Sequence, residues 1–372
     1  MSNDLRILVC FGTRPEAIKM APVCYALKKE GLDFKVCVTA QHREMLDQVL
    51  QFFDIIPDFD LNLMQTNQSL NQLSARIIMA MDAVLKREHF DMVLVHGDTT
   101  TSVMVALSAF QNGIKVGHVE AGLRTYIKQA PFPEEMNRQL TGRLADFHFA
   151  PTQRAQQNLL NEHILPSQIY LVGNTIIDAL HIAKSKIDNG FLTPTIRVLK
   201  EKLDFKKKII LVTGHRRENF GSKFDHICQA LLNLAQRDDV CLVFPVHLNP
   251  KVSNPAFAAL GDHPNIKLIE PLDYASMVWL LNQAALVISD SGGIQEEAPT
   301  FNVPVLVTRE VTERPEGLDT GCSILVGSSV EKIINYANMF LDDTKKRTIL
   351  KNPYGDGTAS AQIVQRLKAL VK

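Results

Sequence analysis

Three carboxylates follow strand-like stretches or turns in the first half of the chain, where their chemistry and position suit proton transfer. Asp98 comes after the apolar run MVLVH, Glu120 after VGHV, and Glu134 after a loop that contains two prolines. Ligands of open parallel sheets bind beyond the carboxyl ends of the strands, so side chains at these positions can meet one substrate. Acidic side chains gathered there can donate and remove protons. Taken singly, Asp98 also fits a helix N-cap and Glu134 an ordinary first-turn acid.

Two histidines precede two of these acids, which raises metal binding as an alternative. Residues i and i+2 of a strand point to the same side, so we expect His96 to pair with Asp98 and His118 with Glu120. The rest of the sequence shows no metal-ligand spacing. We therefore predict acid-base catalysis and no metal.

Cationic side chains occupy similar positions at other strand ends. Arg14 and Lys19 follow the first apolar run, and His215 and Arg314 follow runs in the second half of the chain. Collected around one ligand, these side chains would supply positive charge and hydrogen-bond donors for a diphosphate. Taken singly, they also fit solvated surface charges or packed histidines.

A glycine-rich turn adds a candidate phosphate site. The apolar run ALVIS ends at Asp290, and Ser291-Gly292-Gly293 then opens a predicted helix. Glycines let the backbone approach a ligand closely, and the first N–H groups of a helix attract anions. An ordinary strand-turn-helix is the alternative. The turn after the first run has Gly12 alone where a dinucleotide fingerprint needs three glycines, so we predict no nicotinamide cofactor.

These positions require a particular arrangement of secondary structure. Apolar runs typical of buried strands alternate with helix-compatible stretches along the whole chain. The runs are RILVCFG, FKVCVTA, DMVLVHGDT, IKVGHVEAG and DFHFAPT, followed after a lysine-rich stretch at 200–208 by KKIILVTGH, VCLVFPVH, IKLIEPL, ALVISDS and VPVLVTR. Such alternation predicts an α/β protein with two doubly wound parallel-sheet domains that divide near 173–200.

Composition restricts the classes of protein and partner. The chain has 372 residues, of which 46% are hydrophobic, enough for two buried cores. Its 40 basic and 40 acidic residues balance, which argues against nucleic acid or an acidic membrane as the main partner. The six cysteines are scattered without a C-x-x-C pair, and no apolar run approaches the length of a membrane span. We predict free buried thiols and a soluble, cytoplasmic protein.

Together these stretches resemble the non-hydrolysing UDP-N-acetylglucosamine 2-epimerases, from Arg6 to the C-terminus. The motifs that carry the resemblance are, in order, FGTRPEAIKMAP, TAQHREMLDQVL, HGDTT, VEAGLRT, PFPEEMNRQL, TGHRRENFG, PVHLNP, SDSGGIQEEAP and TERPE. The resemblance implies a GT-B-like architecture, two Rossmann-like domains with the active site in the cleft between them. It implies a first domain over 1–172, a UDP-binding domain over 173–356, and a C-terminal helix over 357–372 that packs back on the first domain.

The resemblance also implies an activity, the reversible epimerisation of UDP-N-acetylglucosamine to UDP-N-acetylmannosamine at carbon 2 of the sugar. The reaction would proceed by elimination of UDP, which leaves 2-acetamidoglucal, and by re-addition of UDP. It would need no cofactor and would supply a precursor of cell-surface polysaccharide. A hydrolysing epimerase, which releases free N-acetylmannosamine and UDP, and a GT-B glycosyltransferase are the alternatives. A catalytically inactive UDP-sugar sensor is a third, although the three acids argue against it.

Matched position by position, the resemblance implies two sets of site residues. The catalytic set is Asp98, Glu120, Glu134, His215 and Arg14. The substrate-binding set is Arg14, Lys19, His215 and Arg314 for the diphosphate, Ser291, Gly292 and Gly293 for phosphate, Glu297 for the ribose hydroxyls, and Leu272 and Met277 beside the uracil. The last two depart from the glutamine and phenylalanine that the family often has there.

Some members of the family bind a second UDP-N-acetylglucosamine as an activator. The matching positions here are Gln41, Arg43 and His247. Asn67 stands where those members often have an arginine. The resemblance therefore implies UDP-N-acetylglucosamine as substrate and as a candidate activator, and a homodimer as the usual assembly.

Overall fold

The computed structural model describes residues 5–39, 43–65, 68–214, 216, 219–247, 249–343 and 352–370, of which 43, 44 and 251 are described by their backbone alone. The chain divides into two compact units. Unit 1 comprises Met1–Ile182 together with Tyr354–Lys372, and unit 2 comprises Ala183–Pro353.

Unit 1 is built around a parallel sheet, as the alternating pattern predicts. Its described strands are β1 (Ile7–Phe11), β2 (Phe34–Val38), β3 (Phe59–Asp60), β4 (Met92–His96), β5 (Lys115–Val119), β6 (Phe147–Ala150) and β7 (Ile169–Leu171). They lie in the order β3-β2-β1-β4-β5-β6-β7. All of β1 is buried, as expected for a strand covered on both faces.

The strand order of unit 1 reverses between β1 and β4. β1 pairs in parallel with β2 on one side and with β4 on the other. Doubly wound sheets bind ligands in the crevice that such a reversal opens. The helices that connect these strands and lead on from them are α1 (Arg14–Lys29), α2 (Arg43–Phe52), α3 (Leu70–Arg87), α4 (Thr100–Gln111), α5 (Glu134–Leu144), α6 (Gln153–Asn161) and α7 (Thr175–Asp188).

Unit 2 contains a second parallel sheet whose order reverses between β8 and β11. Its described strands are β8 (Lys208–Thr213), β9 (Val240–Pro245), β10 (Ile266–Ile269), β11 (Ala284–Ser289), β12 (Val305–Val307) and β13 (Ser323–Leu325), in the order β10-β9-β8-β11-β12-β13. Its helices are α8 (Pro194–Lys202), α9 (Ser222–Leu234), α10 (Pro250–Leu260), α11 (Tyr274–Gln283), α12 (Gly292–Glu297), α13 (Pro315–Asp319) and α14 (Val330–Asp342). The two sheets confirm the predicted fold class, an α/β protein with two Rossmann-like units of GT-B-like type.

Three short strands lie outside the apolar runs of the sequence. β3 has two residues, and β7 and β13 have three each. Each lies at an edge of its sheet. An edge strand has one neighbour and needs fewer apolar residues than a central strand, so its signal in the sequence is weak.

The chain returns to unit 1 at its C-terminus through α15 (Ala359–Ala369). The carboxylate of Asp178, on α7, accepts hydrogen bonds from the N–H groups of Ala359 and Ser360, at 3.3 and 2.8 Å, and from the Ser360 hydroxyl. Because these N–H groups are at the helix start, where no intrahelical acceptor exists, Asp178 caps α15. The same helix buries Ile363 and Leu367 completely.

All six cysteines are buried and have free thiols, as expected. Within the described ranges, no helix is both long and apolar enough to cross a bilayer.

Candidate active site

Glu120 lies directly after β5 and is the most constrained of the three candidate acids. Its Oε2 atom pairs with the Lys19 ammonium and accepts a hydrogen bond from Asn174 Nδ2 at 3.1 Å. His96 Nε2 lies 3.9 Å from the same oxygen. The Glu120 side chain is 9% exposed and that of Lys19 is 10% exposed, so the ion pair is largely shielded from water.

The backbone of Glu120 is strained. Its φ angle is +61°, in the left-handed region that residues with a Cβ rarely adopt. Such a conformation costs on the order of 1–3 kcal/mol and persists where the surrounding contacts enforce it. The contacts of the side chain with Lys19 and Asn174 are of that kind, and strain of this type is concentrated at functional sites.

Asp98 faces α5 and does not cap α4. The helix cap is Thr99, whose hydroxyl accepts a hydrogen bond from Ser102 N–H at 3.0 Å. The Asp98 carboxylate pairs instead with the guanidinium of Arg138, and its main-chain carbonyl accepts from Asn137 Nδ2 at 3.0 Å. The alternative interpretation of Asp98 as a helix N-cap is therefore wrong.

Glu134 and Glu135 begin α5 and have opposite environments. Glu134 Oε2 is shielded from solvent and accepts no hydrogen bond from the described residues. Glu135 is fully buried and accepts hydrogen bonds from the N–H groups of Thr125 and Tyr126, both at 3.0 Å, and from Gln139 at 2.8 Å. Although burial raises the pKa of Glu135, these hydrogen bonds hold it below its ordinary value. Glu135 is thus a structural acceptor, whereas Glu134 keeps an uncommitted oxygen.

The histidines do not form the pairs that strand alternation predicts. His96 lies near Glu120, and His118 Nε2 bonds to the Gly97 carbonyl at 2.7 Å. Gly97 and Glu120 have φ angles of +63° and +61°, so the chain turns at both strand ends and the alternation stops there. Burial lowers the pKa of His118 to about 3, which keeps its ring neutral. No three histidine, cysteine, aspartate or glutamate side chains of the described chain come together as metal ligands.

The turn after β1 carries Arg14, which begins α1 and is half-buried. Glu16, which has no predicted role, holds this turn. Its carboxylate accepts hydrogen bonds from the N–H groups of Gly12 and Thr13, at 3.0 and 2.8 Å, and from the Thr99 hydroxyl at 2.7 Å. Glu16 therefore joins the turns after β1 and β4, on the two sides of the reversal in strand order.

Glu16 leads to a prediction about pH. Burial raises its pKa from 4.5 to about 7, with the hydrogen bonds opposing the shift. Between these values the folded protein holds a proton that the unfolded chain has released, so this contribution to stability is full below about pH 4.5 and is lost as the pH rises through about 7. Glu16→Gln has the same shape but cannot ionise. As the pH rises over this range, we expect the free energy of unfolding of wild type to fall. That of Glu16→Gln should stay nearly constant.

Urea unfolding of both proteins at pH values below and above 7 measures this difference. A parallel fall in both proteins would contradict the role of Glu16.

In unit 2, Asp290 fixes the turns at the reversal between β8 and β11. It is fully buried, and its Oδ2 atom accepts hydrogen bonds from Arg216 N–H at 2.9 Å and Asn219 Nδ2 at 3.1 Å. Asn219 also donates to the Thr308 carbonyl at 3.0 Å, beyond the end of β12. Three strand ends are thereby held together. His215, in the same turn, lies outside the described residues.

The glycine turn brings several predicted binding residues together. Ser291 is the N-cap residue of α12, and the helix begins at Gly292, as predicted. A Cβ atom on Gly292 would lie 3.9 Å from the Arg314 guanidinium. One on Gly293 would lie 3.8 Å from Ser291 Oγ and 3.9 Å from Glu297 Oε1. The hydroxyl and the guanidinium thus lie beside a stretch of backbone without side chains, which an anion can approach closely, and the Glu297 carboxylate lies next to the same stretch.

Arg314 is held in this position by Glu296, a residue without a predicted role. The Arg314 Nε–H donates to Glu296 Oε1, and Glu296 is 1% exposed. The Arg314 N–H donates to Thr312 Oγ1 at 3.1 Å, and that hydroxyl donates to Gln295 at 2.7 Å. Neighbouring residues of α12 therefore fix both the backbone and the side chain of the arginine.

The remaining predicted residues are the two expected beside the uracil and the three expected at the activator position. Leu272 is buried in the apolar core of unit 2, and Met277 packs against the same core. His247 is exposed, and its Nδ1 accepts a hydrogen bond from Asn249 N–H at 3.1 Å. Gln41 and the side chain of Arg43 lie outside the described residues.

Comparison with known proteins identifies the family. A family model described as UDP-N-acetylglucosamine 2-epimerase matches residues 25–368. The UDP-N-acetylglucosamine 2-epimerase of Salmonella typhimurium is 51% identical over 371 residues, 98% of this chain and 99% of that protein. The UDP-GlcNAc 2-epimerase from Neisseria meningitidis bound to UDP-GlcNAc is 44% identical, with a TM-score of 0.88 over 98% of this chain and 100% of that one. The S. aureus MnaA–UDP co-structure is 45% identical, with a TM-score of 0.87 over 99% of this chain and 97% of that one.

The extent of these matches, across both units of the chain, leaves one assignment. The chain belongs to the UDP-N-acetylglucosamine 2-epimerase family.

Proposed function

We propose that this protein is an isomerase that interconverts UDP-N-acetylglucosamine and UDP-N-acetylmannosamine without hydrolysis. Membership of the family supports the substrate and the reaction. The observation that carries the proposal is the environment of Glu120, a strained and shielded carboxylate at a strand end that Lys19 and Asn174 hold. Such a group suits proton transfer, because a carboxylate fixed at a strand end can exchange a proton with a ligand bound there.

The chemistry explains why the enzyme needs both acids and cations. No adjacent carbonyl acidifies the hydrogen at carbon 2, so its direct removal as a proton is slow. Departure of UDP from carbon 1 builds positive charge beside that hydrogen. A base then takes the proton from carbon 2, the bond between carbon 1 and the UDP oxygen breaks with its electron pair on UDP, and the double bond of 2-acetamidoglucal forms.

The second half of the reaction reverses these steps on the other face of the sugar. A proton is added to carbon 2 from the opposite face, and the UDP oxygen re-forms its bond to carbon 1. Two faces require two groups, which we assign to the set Asp98, Glu120 and Glu134. Arg138 pairs with the Asp98 carboxylate, and Lys19 pairs with the Glu120 carboxylate, so each of these two acids is held by a cation.

Unit 2 would hold the nucleotide throughout. We assign phosphate binding to Ser291, Gly292, Gly293 and Arg314, which the geometry of the turn supports. Glu297 would accept the ribose hydroxyls. A fixed guanidinium stabilises the negative charge that develops on the departing diphosphate, which is the largest charge change in the reaction. We assign Arg14 and His215 to the same leaving group.

Turnover in deuterium oxide tests the proposal. The protein is incubated with UDP-N-acetylglucosamine, and the sugar is followed by NMR. We expect deuterium at carbon 2 in both UDP-linked sugars, because the proton removed from carbon 2 exchanges with solvent before the return step. Free N-acetylmannosamine would identify a hydrolysing epimerase, and transfer of the sugar only to an acceptor would identify a glycosyltransferase. An unchanged sugar would identify a UDP-sugar sensor. Each of these results would overturn the proposal.

Three expectations stay predictions, the first two from the resemblance and the third from the composition. They are activation by a second UDP-N-acetylglucosamine near Gln41, Arg43 and His247, a homodimeric assembly, and a cytoplasmic location. The exposed ring of His247 is compatible with ligand contact there.

A further inference from the structure

Asn174 lies between β7 and α7, outside the residues to which a role was assigned. It is 3% exposed, and its backbone is held on both sides. Its N–H donates to the Tyr354 carbonyl at 2.7 Å, and its carbonyl accepts from Ile177 N–H at 3.1 Å. The residue therefore has little freedom of position.

The amide of Asn174 is fixed in orientation as well. Its Oδ1 atom accepts a hydrogen bond from Ile176 N–H at 3.1 Å, at the start of α7. An amide nitrogen cannot accept that bond, so the oxygen must face the helix. The Nδ2 group then points the other way, where it donates to Glu120 Oε2 at 3.1 Å.

We propose that Asn174 is a positioning residue that holds the carboxylate of Glu120 in its catalytic orientation. The inference rests on the proposed function, in which Glu120 transfers a proton. Lys19 supplies charge to the same oxygen, but an ammonium on a long, flexible chain fixes direction poorly. The Asn174 amide, which is oriented by the start of α7, fixes the direction of the Glu120 carboxylate.

The C-terminal segment completes this arrangement. The Tyr354 carbonyl accepts a hydrogen bond from Asn174 N–H, and the next residue, Gly355, has a φ angle of +139°. A Cβ atom on Gly355 would lie 3.4 Å from Asn174 N and 3.5 Å from Gly173 Cα. The segment thus packs backbone against backbone at the point where Asn174 is fixed.

A purely structural role, as the helix cap of α7, is the competing explanation. Asparagine, aspartate and serine cap helices about equally well. Their effects on Glu120 differ, because aspartate would place a second carboxylate oxygen against Glu120 Oε2 and serine would leave no group within reach of it. Exchange among these residues therefore separates the two roles.

Asn174→Asp is the first test. We expect kcat to fall by about 10- to 150-fold, the effect of losing a hydrogen bond to a charged group, with KM little changed. We also expect the pH profile of kcat to move to higher pH, because a second carboxylate favours protonation of one of the pair. Among the described residues, the charged or titratable groups that face Glu120 from neighbouring elements are Lys19 on α1 and His96 on β4, and both are unchanged in the variant.

Asn174→Ser is the second variant, in which the cap is kept and no charge is added. We expect a similar fall in kcat without the upward move of the pH profile. The control is Ser329→Asp, at the cap of α14 in unit 2, where Ser329 Oγ accepts from Lys332 N–H at 3.3 Å. We expect wild-type kcat and pH profile for the control.

The outcomes separate this inference from the proposed function. If wild type epimerises and both Asn174 variants keep its kcat and pH profile, the inference is wrong and the proposed function stands. The same holds if the variants lose only melting temperature, which is the signature of a helix cap. If wild type does not epimerise UDP-N-acetylglucosamine, the proposed function fails and the inference fails with it.

Discussion

Asp98→Asn, Glu120→Gln and Glu134→Gln are each expected to lower kcat by about 100- to 10,000-fold, the usual contribution of a general acid or base. Each amide keeps the shape of the acid but cannot exchange a proton at neutral pH. Affinity for UDP should change little, because the three acids are assigned to the sugar and not to the nucleotide. Steady-state turnover and calorimetric titration with UDP measure the two effects separately.

Glu135→Gln is the matched control for Glu134→Gln, because the two acids are adjacent on α5. Glu135 accepts hydrogen bonds from two backbone N–H groups and from Gln139. We therefore expect Glu135→Gln to lower the melting temperature and to have only a small effect on kcat. Deuterium exchange at carbon 2 adds a second measurement, since a variant that lacks the base should also lose exchange. Near-normal turnover in all three acid variants would refute the assignment of acid-base catalysis to them.

Arg314→Gln is expected to raise the Kd for UDP by about 10- to 150-fold, since hydrogen bonds to charged groups contribute about 1.5–3 kcal/mol. The glutamine amide can still donate to the buried Glu296, so that carboxylate is not left without a donor. We expect kcat to fall as well, because the diphosphate is the leaving group. Calorimetric titration with UDP measures the affinity.

Glu296→Gln tests how the arginine is held. The charge of Arg314 remains in this variant but its ion pair is lost, so we expect a smaller loss of affinity than in Arg314→Gln. Arg237→Gln is the control, because Arg237 also lies in unit 2 and pairs with Asp239 and Asp342 on the surface. Unchanged UDP affinity in Arg314→Gln would exclude the arginine from the phosphate site.

The sheets could be predicted because their signal is local. The strands β1 and β4 are continuous apolar runs, and Glu134 begins α5 directly after a loop with two prolines. Each of these features can be recognised from a few consecutive residues. The class of fold, the start of α12 and the positions of the acids at strand ends follow from them.

The ion pairs of the site could not be predicted in this way. Lys19 and Glu120 are 101 residues apart, Arg138 and Asp98 are 40 apart, and Arg314 and Glu296 are 18 apart. Their partners depend on which strands become neighbours and how the chain turns after each strand. The motif around Lys19 suggests a contact with a diphosphate and gives no sign that its ammonium also contacts a carboxylate.

The turn at Glu120 and the amide of Asn174 show the same limit at single residues. A positive φ in a glutamate has no signature in the local sequence, because tertiary contacts enforce it. Asn174 reads as an ordinary helix cap from its neighbours alone. Its contact with Glu120, 54 residues away, becomes visible once the sheet is assembled.

The return of the C-terminus to unit 1 sets an order for the synthesis of the protein. A ribosome releases Ala183–Pro353, the whole of unit 2, before it releases Ala359 and Ser360, which bind Asp178. Domains fold as their residues emerge, so unit 2 can close while the capping carboxylate of unit 1 still lacks its helix. The hydrogen bond from Asn174 N–H to the Tyr354 carbonyl also forms late. The half of the enzyme that is translated first, and carries the three acids, is therefore the half that is finished last.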